Sequence, residues 1–306
     1  MHWAFIVLIV VLGLVFLFLI GCLLIGFFLT KGMAWPVRHT RKECYDVDAV
    51  QGLFAGLEDL KFEPIVMTMS DGYEIHGDVV LNGNNDKWVI CTHGYTCTRE
   101  GTWKYLLPFY QRGYSLLAYD VRSHGENLIK DVTMGFKEHK DLHEIIGYVR
   151  KTYGEEVHVG LLGESMGAAT SCLCASFRDP LDFIVSDCGY ASLPLLIKHL
   201  LKQRHLPTFL LPFANVSNRL LEHYSVYKLL PYKALEENEV PILFMHGDID
   251  TFVPPEHARI FYDANKGYKE LHYFKGCEHA LSIVNCHEEY IAILNAFLDK
   301  VEKGIA

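Results

Sequence analysis

The chain has 306 residues, of which 50% are hydrophobic and 21% are charged, and its net charge is −9 at pH 7. This composition is too apolar for a disordered chain, and the length suits one α/β domain with a substantial core or at most two small domains. An acidic balance without a basic stripe argues against nucleic acid as the main partner.

The N-terminal segment from Trp3 to Thr30 contains no Asp, Glu, Lys or Arg. As a helix it would extend about 42 Å, which is enough to span a bilayer with tilt. A cleaved signal peptide is disfavoured because no Lys or Arg precedes the segment. A lipoprotein cleavage site at Cys22 is disfavoured because the apolar run continues to Leu29. The sequence therefore predicts an uncleaved transmembrane helix over residues 3–30.

The flanks of this helix predict its orientation. The basic residues that follow it are Lys31, Arg38, Arg41 and Lys42, and no Lys or Arg precedes it. The positive-inside rule therefore places the C-terminal domain in the cytoplasm, as part of a single-pass membrane protein. Several cysteines in apolar segments, which are typical of a reducing compartment, agree with this: Cys91, Cys172, Cys174 and Cys188.

Residues 31–62 form a juxtamembrane connector of mixed charge, and after it short apolar runs alternate with helical patterns. Strands are predicted at Pro64–Met69, Tyr73–Leu81, Lys87–Thr92, Tyr114–Tyr119, Val157–Leu162, Asp182–Ser186, Val240–Met245 and Lys269–Phe274. Helices are predicted near residues 100–112, 137–153, 166–178, 255–266 and 284–302. A hairpin followed by strand–helix alternation indicates one largely parallel, doubly wound sheet over residues 63–306.

Residues 189–239 interrupt the alternation with short helical pieces and several prolines. The insertion is apolar on part of its surface, for example at Phe209-Leu210-Leu211. We favour a lid that shapes a pocket over an active site, and an ordinary packing excursion is the alternative.

The pentapeptide Gly163–Gly167, which reads Gly-Glu-Ser-Met-Gly, lies between an apolar strand and a small-residue helix. In this context Gly-x-Ser-x-Gly predicts a nucleophile elbow, in which Ser165 stands exposed above the sheet. The glycines permit a sharp turn without a Cβ clash. Ser165 is therefore the candidate nucleophile.

A serine hydroxyl needs a base to remove its proton and an acid to orient that base. Asp250 lies in the loop after the strand Val240–Met245, and His279 follows the strand Lys269–Phe274. These ends of parallel strands meet at one edge of the sheet. Asp250 and His279 are the predicted partners of Ser165, with Asp248 as the alternative acid.

The oxyanion of an acyl-transfer intermediate needs two backbone donors. The first predicted donor is the N–H of Met166, at the start of the helix after the nucleophile. The second is the N–H of Tyr95, because Gly94 permits a tight turn after the strand Lys87–Thr92.

Together these motifs resemble those of the α/β-hydrolases, in the branch of membrane-anchored bacterial serine hydrolases similar to serine aminopeptidases and acyl-peptidases. The matching motifs are His93-Gly94-Tyr95, Asp120–Glu126, Gly163–Gly167, His246–Pro254 and Glu278-His279-Ala280. The resemblance implies an eight-stranded, mostly parallel sheet with flanking helices, a short helical lid, and a triad of Ser165, Asp250 and His279. It does not fix the substrate, because the fold hosts many activities.

Other polar residues are predicted to be structural. His93, His246 and His124 lie at strand ends or in a scaffolding loop, although His124 is an alternative base. His139 and His143 share a helix face without the Glu of a zinc-binding motif, and we expect a solvated face there. The sequence predicts neither a metal site nor a cofactor.

Three functions remain open, in order of preference. The first is a membrane-anchored serine hydrolase that cleaves carboxylic (acyl) esters through an acyl-enzyme. The second is a serine peptidase or amidase, for which Glu164 or Arg99 would hold a peptide terminus. The third is a non-catalytic binding module. The expected partners are a small-molecule ester, acyl or peptide substrate and the lipid bilayer.

Overall fold

The computed structural model describes residues 2–83 and 85–306. The chain divides into two compact units. The smaller comprises the residues up to Pro36 and Leu193–Leu229, and the larger comprises Val37–Ser192 and Leu230–Ala306. The apolar N-terminal segment and most of the insertion thus belong to one unit, and the α/β elements belong to the other.

The larger unit is built on one sheet. Its strands in the described residues are β1 (Glu63–Thr68), β2 (Glu74–Val80), β3 (Lys87–Thr92), β4 (Ser115–Tyr119), β5 (His158–Glu164), β6 (Phe183–Asp187), β7 (Ile242–Gly247) and β8 (Lys269–Phe274). They lie in the order β1-β2-β4-β3-β5-β6-β7-β8. The pairs of β2 with β1 and β4 are antiparallel, and the other pairs are parallel. The predicted eight-stranded, mostly parallel sheet is confirmed.

The α-helices of the described residues are α1 (His2–Ala34), α2 (Arg41–Ala49), α3 (Leu106–Gln111), α4 (Glu138–Tyr153), α5 (Met166–Cys174), α6 (Leu193–Gln203), α7 (Leu211–Leu221), α8 (Glu256–Ala264), α9 (Ser282–Asn285) and α10 (His287–Glu302). The helix predicted over 100–112 differs, because Arg99–Tyr105 is a 3₁₀ helix that precedes α3. Thr102 Oγ1 donates a hydrogen bond of 2.7 Å to the Arg99 carbonyl, and this local bond favours the tighter turn.

The sheet is buried by apolar side chains on both faces. Every residue of β4, β6 and β7 is buried, as expected for inner strands covered by helices. Phe109 and Phe183 stack with ring centroids 6.0 Å apart in this core. The parallel strands all end at the same edge of the sheet, so the loops after β3, β5, β7 and β8 converge there.

Four cysteine thiols lie in this core without disulfide partners: Cys91, Cys172, Cys174 and Cys188. Burial raises the pKa of the Cys172 thiol to about 12 and raises the pKa values of the other three as well. All four thiols are therefore protonated at neutral pH.

The smaller unit contains α1, α6 and α7, and α1 packs on α7. By length and composition α1 can cross a membrane. A Cβ atom at Gly26 of α1 would lie 2.6 Å from the Phe213 carbonyl carbon, so the glycine permits close approach of the two helices. Thr30 Oγ1 donates a hydrogen bond of 3.1 Å to the Ala214 carbonyl. These contacts join the N-terminal helix to the insertion.

Candidate active site

Ser165 forms the whole turn between a strand and a helix. β5 ends at Glu164 and α5 begins at Met166. Ser165 has φ 56° and ψ −112°, a backbone conformation that costs a non-glycine residue about 1–3 kcal/mol. Its N–H donates to the Asp187 carbonyl at 2.8 Å, and its carbonyl accepts from Ala169 N–H, so strand pairing and the helix hold the strained turn.

The two glycines of the motif allow α5 to approach the sheet. A Cβ at Gly163 would lie 2.3 Å from the carbonyl carbon of Gly167. A Cβ at Gly167 would lie 2.0 Å from the carbonyl oxygen of Thr92 on β3. Since real Cβ contacts are not this short, only glycine fits at both positions. The sequence motif thus reflects the packing of the turn.

The structure brings Ser165, His279 and Asp250 together. His279 Nε2 lies 2.9 Å from Ser165 Oγ, and His279 Nδ1 lies 2.6 Å from Asp250 Oδ2. With Nδ1–H donating to Asp250, the neutral imidazole has its Nε2 lone pair directed at the serine hydroxyl. The Phe252 ring lies 5.0 Å from the His279 ring.

Asp250 is held as a carboxylate. Its Oδ1 accepts hydrogen bonds from Phe252 N–H (2.9 Å) and Val253 N–H (2.8 Å). Burial opposes ionisation, but the side chains of His246 and His279 and the Val253 N–H outweigh it and hold the pKa of Asp250 below its usual range. Asp250 therefore stays charged and can stabilise a protonated His279.

The alternative acid, Asp248, has a different partner. Its Oδ1 accepts the backbone N–H of Gly276 at 2.6 Å. Its own N–H donates to the Phe274 carbonyl at 3.0 Å. Asp248 thus fixes the turn that leads from β8 to His279, whereas Asp250 contacts the imidazole.

The loop after β3 lies beside Ser165. A Cβ at Gly94 would lie 3.4 Å from Ser165 Cβ, so the loop passes the serine at Gly94. Met166 is the first residue of α5, where backbone N–H groups have no partner within the helix. Met166 therefore directly follows Ser165 at the start of α5, and the Tyr95 N–H stays a predicted donor.

Two buried histidines support this loop. His93 Nδ1 pairs with the Gly94 carbonyl, and its Nε2 accepts Val121 N–H at 2.8 Å. His124 Nε2 accepts Thr96 N–H at 3.2 Å. Burial lowers the pKa of His93 to about 4 and that of His124 to about 3. Both rings are neutral acceptors, so they have the predicted structural role.

A buried polar network beneath Ser165 was not found from the sequence. Lys104 Nζ lies 2.7 Å from Glu164 Oε2. The Tyr105 hydroxyl lies 2.7 Å from a carboxylate oxygen of Glu164 and 2.9 Å from one of Asp187, and the Tyr290 hydroxyl donates to Asp187 at 3.0 Å. The pairing spans distant parts of the chain, and the only local signal was a charged residue inside the elbow motif.

The two residues considered as anchors for a peptide terminus are both paired internally. Glu164 binds Lys104. Arg99 is buried and contacts Asp78 and Asp120, each at 2.6 Å, as well as Glu126. Neither side chain is available to hold a free terminus.

The histidine pair on α4 also has protein partners. His139 Nδ1 lies 2.7 Å from the Gly135 carbonyl, and His143 Nδ1 lies 2.6 Å from Asp179. Both rings stack on Phe177. Across residues 2–83 and 85–306, no group of three or more His, Cys, Asp or Glu is arranged to hold a metal.

Comparison with known proteins gives a consistent result. The family model described as "Serine aminopeptidase, S33" matches residues 83–229. The uncharacterized protein YqkD of Bacillus subtilis (strain 168) is 28% identical over 260 residues, which cover 84% of this chain and 85% of YqkD.

Solved structures of esterases and lipases share the fold. The Pyrococcus furiosus esterase Pf2001 is 26% identical over 79% of this chain and 91% of its own, with a TM-score of 0.63. The monoacylglycerol lipase of Paleococcus ferrophilus is 18% identical, with coverage of 74% and 99% and a TM-score of 0.59. The sheet order, the nucleophile turn and these matches place the chain in the α/β-hydrolase superfamily. Within that superfamily it is a serine hydrolase.

Proposed function

We propose that the protein is a membrane-anchored hydrolase of carboxylic (acyl) esters, with Ser165 as nucleophile, His279 as base and Asp250 as the orienting acid. The observation that carries this proposal is the continuous chain of hydrogen-bond distances, 2.9 Å from Ser165 Oγ to His279 Nε2 and 2.6 Å from His279 Nδ1 to Asp250. This is the arrangement that activates a serine hydroxyl for acyl transfer.

The reaction follows from these positions. Ser165 Oγ attacks the ester carbonyl carbon while His279 Nε2 takes the hydroxyl proton, and Asp250 stabilises the resulting imidazolium. The N–H groups of Tyr95 and Met166 donate to the oxyanion. His279 then gives its proton to the departing alcohol, which leaves an acyl-enzyme. Water, deprotonated by the same imidazole, attacks the acyl carbonyl and releases the carboxylic acid and the free serine.

An ester is favoured over a peptide by the partners of the charged side chains. A peptidase that recognises a terminus needs an uncompensated charge in its pocket, and both Glu164 and Arg99 are neutralised by buried partners. The fold relatives named as esterases or as a lipase support the same choice. A peptidase or amidase on the same three residues is the second candidate.

The membrane anchor is α1. It is long and apolar enough to span a bilayer, and Lys31 follows its charge-free part. By the positive-inside rule the catalytic domain faces the cytoplasm. The lid role of residues 189–239 stays a prediction.

The test is an acyl-length series of p-nitrophenyl esters beside aminoacyl p-nitroanilides, with the full chain in detergent or nanodiscs. Ser165→Ala is expected to lower ester turnover by about 10³-fold or more. Ser171→Ala is the matched control, because this buried hydroxyl on α5 has no hydrogen-bond partner among the described residues. Equal ester turnover in the native protein and Ser165→Ala would refute the proposal, and faster anilide cleavage would favour the peptidase.

A further inference from the structure

The Leu193–Leu229 segment has a charge opposite to that of the whole chain. It contains five Lys or Arg residues and one acidic residue, Glu222, for a net charge of +4, while the chain carries −9. All five basic residues are exposed: Lys198, Lys202, Arg204, Arg219 and Lys228. A local positive charge in an acidic protein indicates an anionic partner.

The same segment is held against α1. Gly26 permits backbone contact with Phe213 and Ala214, and Thr30 binds the Ala214 carbonyl. The buried residues of α1 occur every four positions, at Cys22, Gly26, Thr30 and Ala34, so one face of the helix is covered. α7 therefore lies alongside the C-terminal part of the proposed membrane anchor.

The contacts also fix the depth of the segment. The Phe209 ring lies 6.1 Å from the Phe18 ring of α1. A hydrocarbon core takes about 20 helical residues. If the core is placed as early as the charge-free run allows, from Trp3, it still includes Phe18. Any later placement puts more of the α1–α7 contact inside the bilayer. In every case Phe209 lies at or below the edge of the hydrocarbon.

The outer surface near this contact is apolar. Phe209 is 51% exposed, and on α7 Val216 is 45% exposed and Leu220 is 72% exposed. Pro212 is also exposed, and Pro212, Val216 and Leu220 share one face of α7 because they are four residues apart. We call Phe209, Pro212, Val216 and Leu220 the apolar stripe. Such a stripe beside a spanning helix has the composition of a membrane-interface element.

We propose that the Phe209–Pro212 end of the apolar stripe inserts into the cytoplasmic leaflet that holds α1 and that the basic side chains of Leu193–Leu229 bind its anionic lipid headgroups. This inference rests on the proposed membrane anchoring by α1. Depth, exposed apolar area and charge each favour the same occupant, a bilayer surface. Long Lys and Arg side chains reach headgroups while their stems lie along the apolar surface.

The test measures the lipid exposure of single positions in the full chain. Phe209→Cys is labelled with an environment-sensitive nitrobenzoxadiazole dye in nanodiscs of phosphatidylcholine and phosphatidylglycerol that contain doxyl-labelled lipid. Leu128→Cys, at a position 65% exposed in the larger unit, is the matched control. Phe16→Cys in α1 reports anchoring itself. Unsubstituted protein gives the background from native thiols.

We expect blue-shifted emission and quenching at position 209 close to those at position 16, with little quenching at position 128. Quenching at 209 no greater than at 128, while position 16 is quenched, would overturn the inference and leave the anchor intact. Absence of quenching at position 16 would refute both the anchor and the inference. Ester turnover, measured in the same nanodiscs, reports the catalytic proposal separately.

A second experiment tests whether the basic side chains bind anionic headgroups. The triple variant Lys198→Gln, Lys202→Gln and Arg204→Gln is expected to lower quenching at position 209 in nanodiscs with phosphatidylglycerol. In pure phosphatidylcholine the variant and the parent are expected to be equal, because the attraction requires anionic headgroups. An equal response of the two proteins in both lipids would overturn the role of the basic side chains.

Discussion

The Lys104 ammonium lies 2.7 Å from the carboxylate of Glu164, the residue directly before the proposed nucleophile Ser165. Asp48 of α2 lies 3.8 Å from the same ammonium. Burial works against the charge on Lys104, but Glu164 and Asp48 outweigh it and raise its pKa. The backbone turn that carries Ser165 is thus tied to α2 through one buried cation.

Loss of that cation is expected to destabilise the fold. Lys104→Met leaves the buried Glu164 carboxylate without its cation and with only the Tyr105 hydroxyl beside it, and breaking a buried pair in this way costs about 3–5 kcal/mol of unfolding free energy. The double variant Lys104→Met, Glu164→Gln is expected to recover part of the loss. Denaturant unfolding measures both. Lys42→Met, which breaks the exposed pair with Asp46, is the control and should change stability by less than about 1 kcal/mol. Equal effects at Lys104 and Lys42 would contradict this account.

Substitutions of Asp250 and of Asp248 are expected to have different effects on kcat. Asp250→Asn removes the carboxylate that fixes the His279 tautomer, and we expect kcat for ester hydrolysis to fall by about 10⁴-fold with the fold retained. In Asp248→Asn the side-chain oxygen can still accept Gly276 N–H, so kcat should stay near the native value. A larger loss in Asp248→Asn than in Asp250→Asn would assign the acid to Asp248.

Alanine substitutions at Gly167 of α5 and at Gly147 of α4 are expected to change the stability of the protein in opposite directions. At Gly167 the new Cβ would meet the Thr92 carbonyl oxygen at 2.0 Å, so Gly167→Ala is expected to destabilise strongly or prevent folding. At Gly147 in α4 a Cβ meets nothing within 4 Å. Gly147→Ala should therefore stabilise the protein by about 0.5–1 kcal/mol. Thermal unfolding by circular dichroism measures both variants, and a tolerated Gly167→Ala would show that the elbow packs more loosely.

The burial of His124 in its neutral form is expected to make the free energy of unfolding depend on pH. Its pKa is lowered by burial to about 3 in the folded protein, so below the unfolded value near 6.5 the unfolded chain binds a proton that the folded chain does not. The contribution of His124 to the free energy of unfolding is therefore largest above pH 6.5 and is lost as pH falls below that value. Asp48 and Asp187, whose pKa values burial raises to about 6, act in the opposite direction.

The difference between native protein and His124→Asn isolates this effect. We expect the stability difference to shrink by about 2 kcal/mol between pH 6.5 and pH 5. Urea unfolding at several pH values measures it, with the exposed His205→Asn as the control. A difference that is constant with pH would mean that His124 is not buried in its neutral form.

The sheet and the candidate site follow from local sequence signals. Strands β3 and β8 have the predicted bounds, because each is a short run flanked by turn residues. Ser165 is predicted by the Gly-x-Ser-x-Gly motif between a strand and a helix, and Asp250 and His279 follow strands that end at the same edge of the sheet. The geometry that brings these three side chains within hydrogen-bond distance is a consequence of that topology.

Contacts between distant segments were not predictable in the same way. Lys104 lies in a segment for which the sequence predicts only a helix, and nothing near it in sequence marks Glu164 as its partner. The packing of Gly26 on Phe213 likewise joins the first helix to an insertion far along the chain. Such pairs depend on side-chain placement in three dimensions, for which a single sequence carries no local periodicity or motif.

The buried thiols bear on how this enzyme would react with covalent inhibitors. Cysteine attacks electrophiles as the thiolate, and the pKa values of Cys91, Cys172, Cys174 and Cys188 are raised by burial. Ser165, in contrast, has a base at hydrogen-bond distance. An acylating or phosphonylating inhibitor would therefore modify the serine while these four cysteines stay intact. The selectivity for serine over the core thiols follows from their burial.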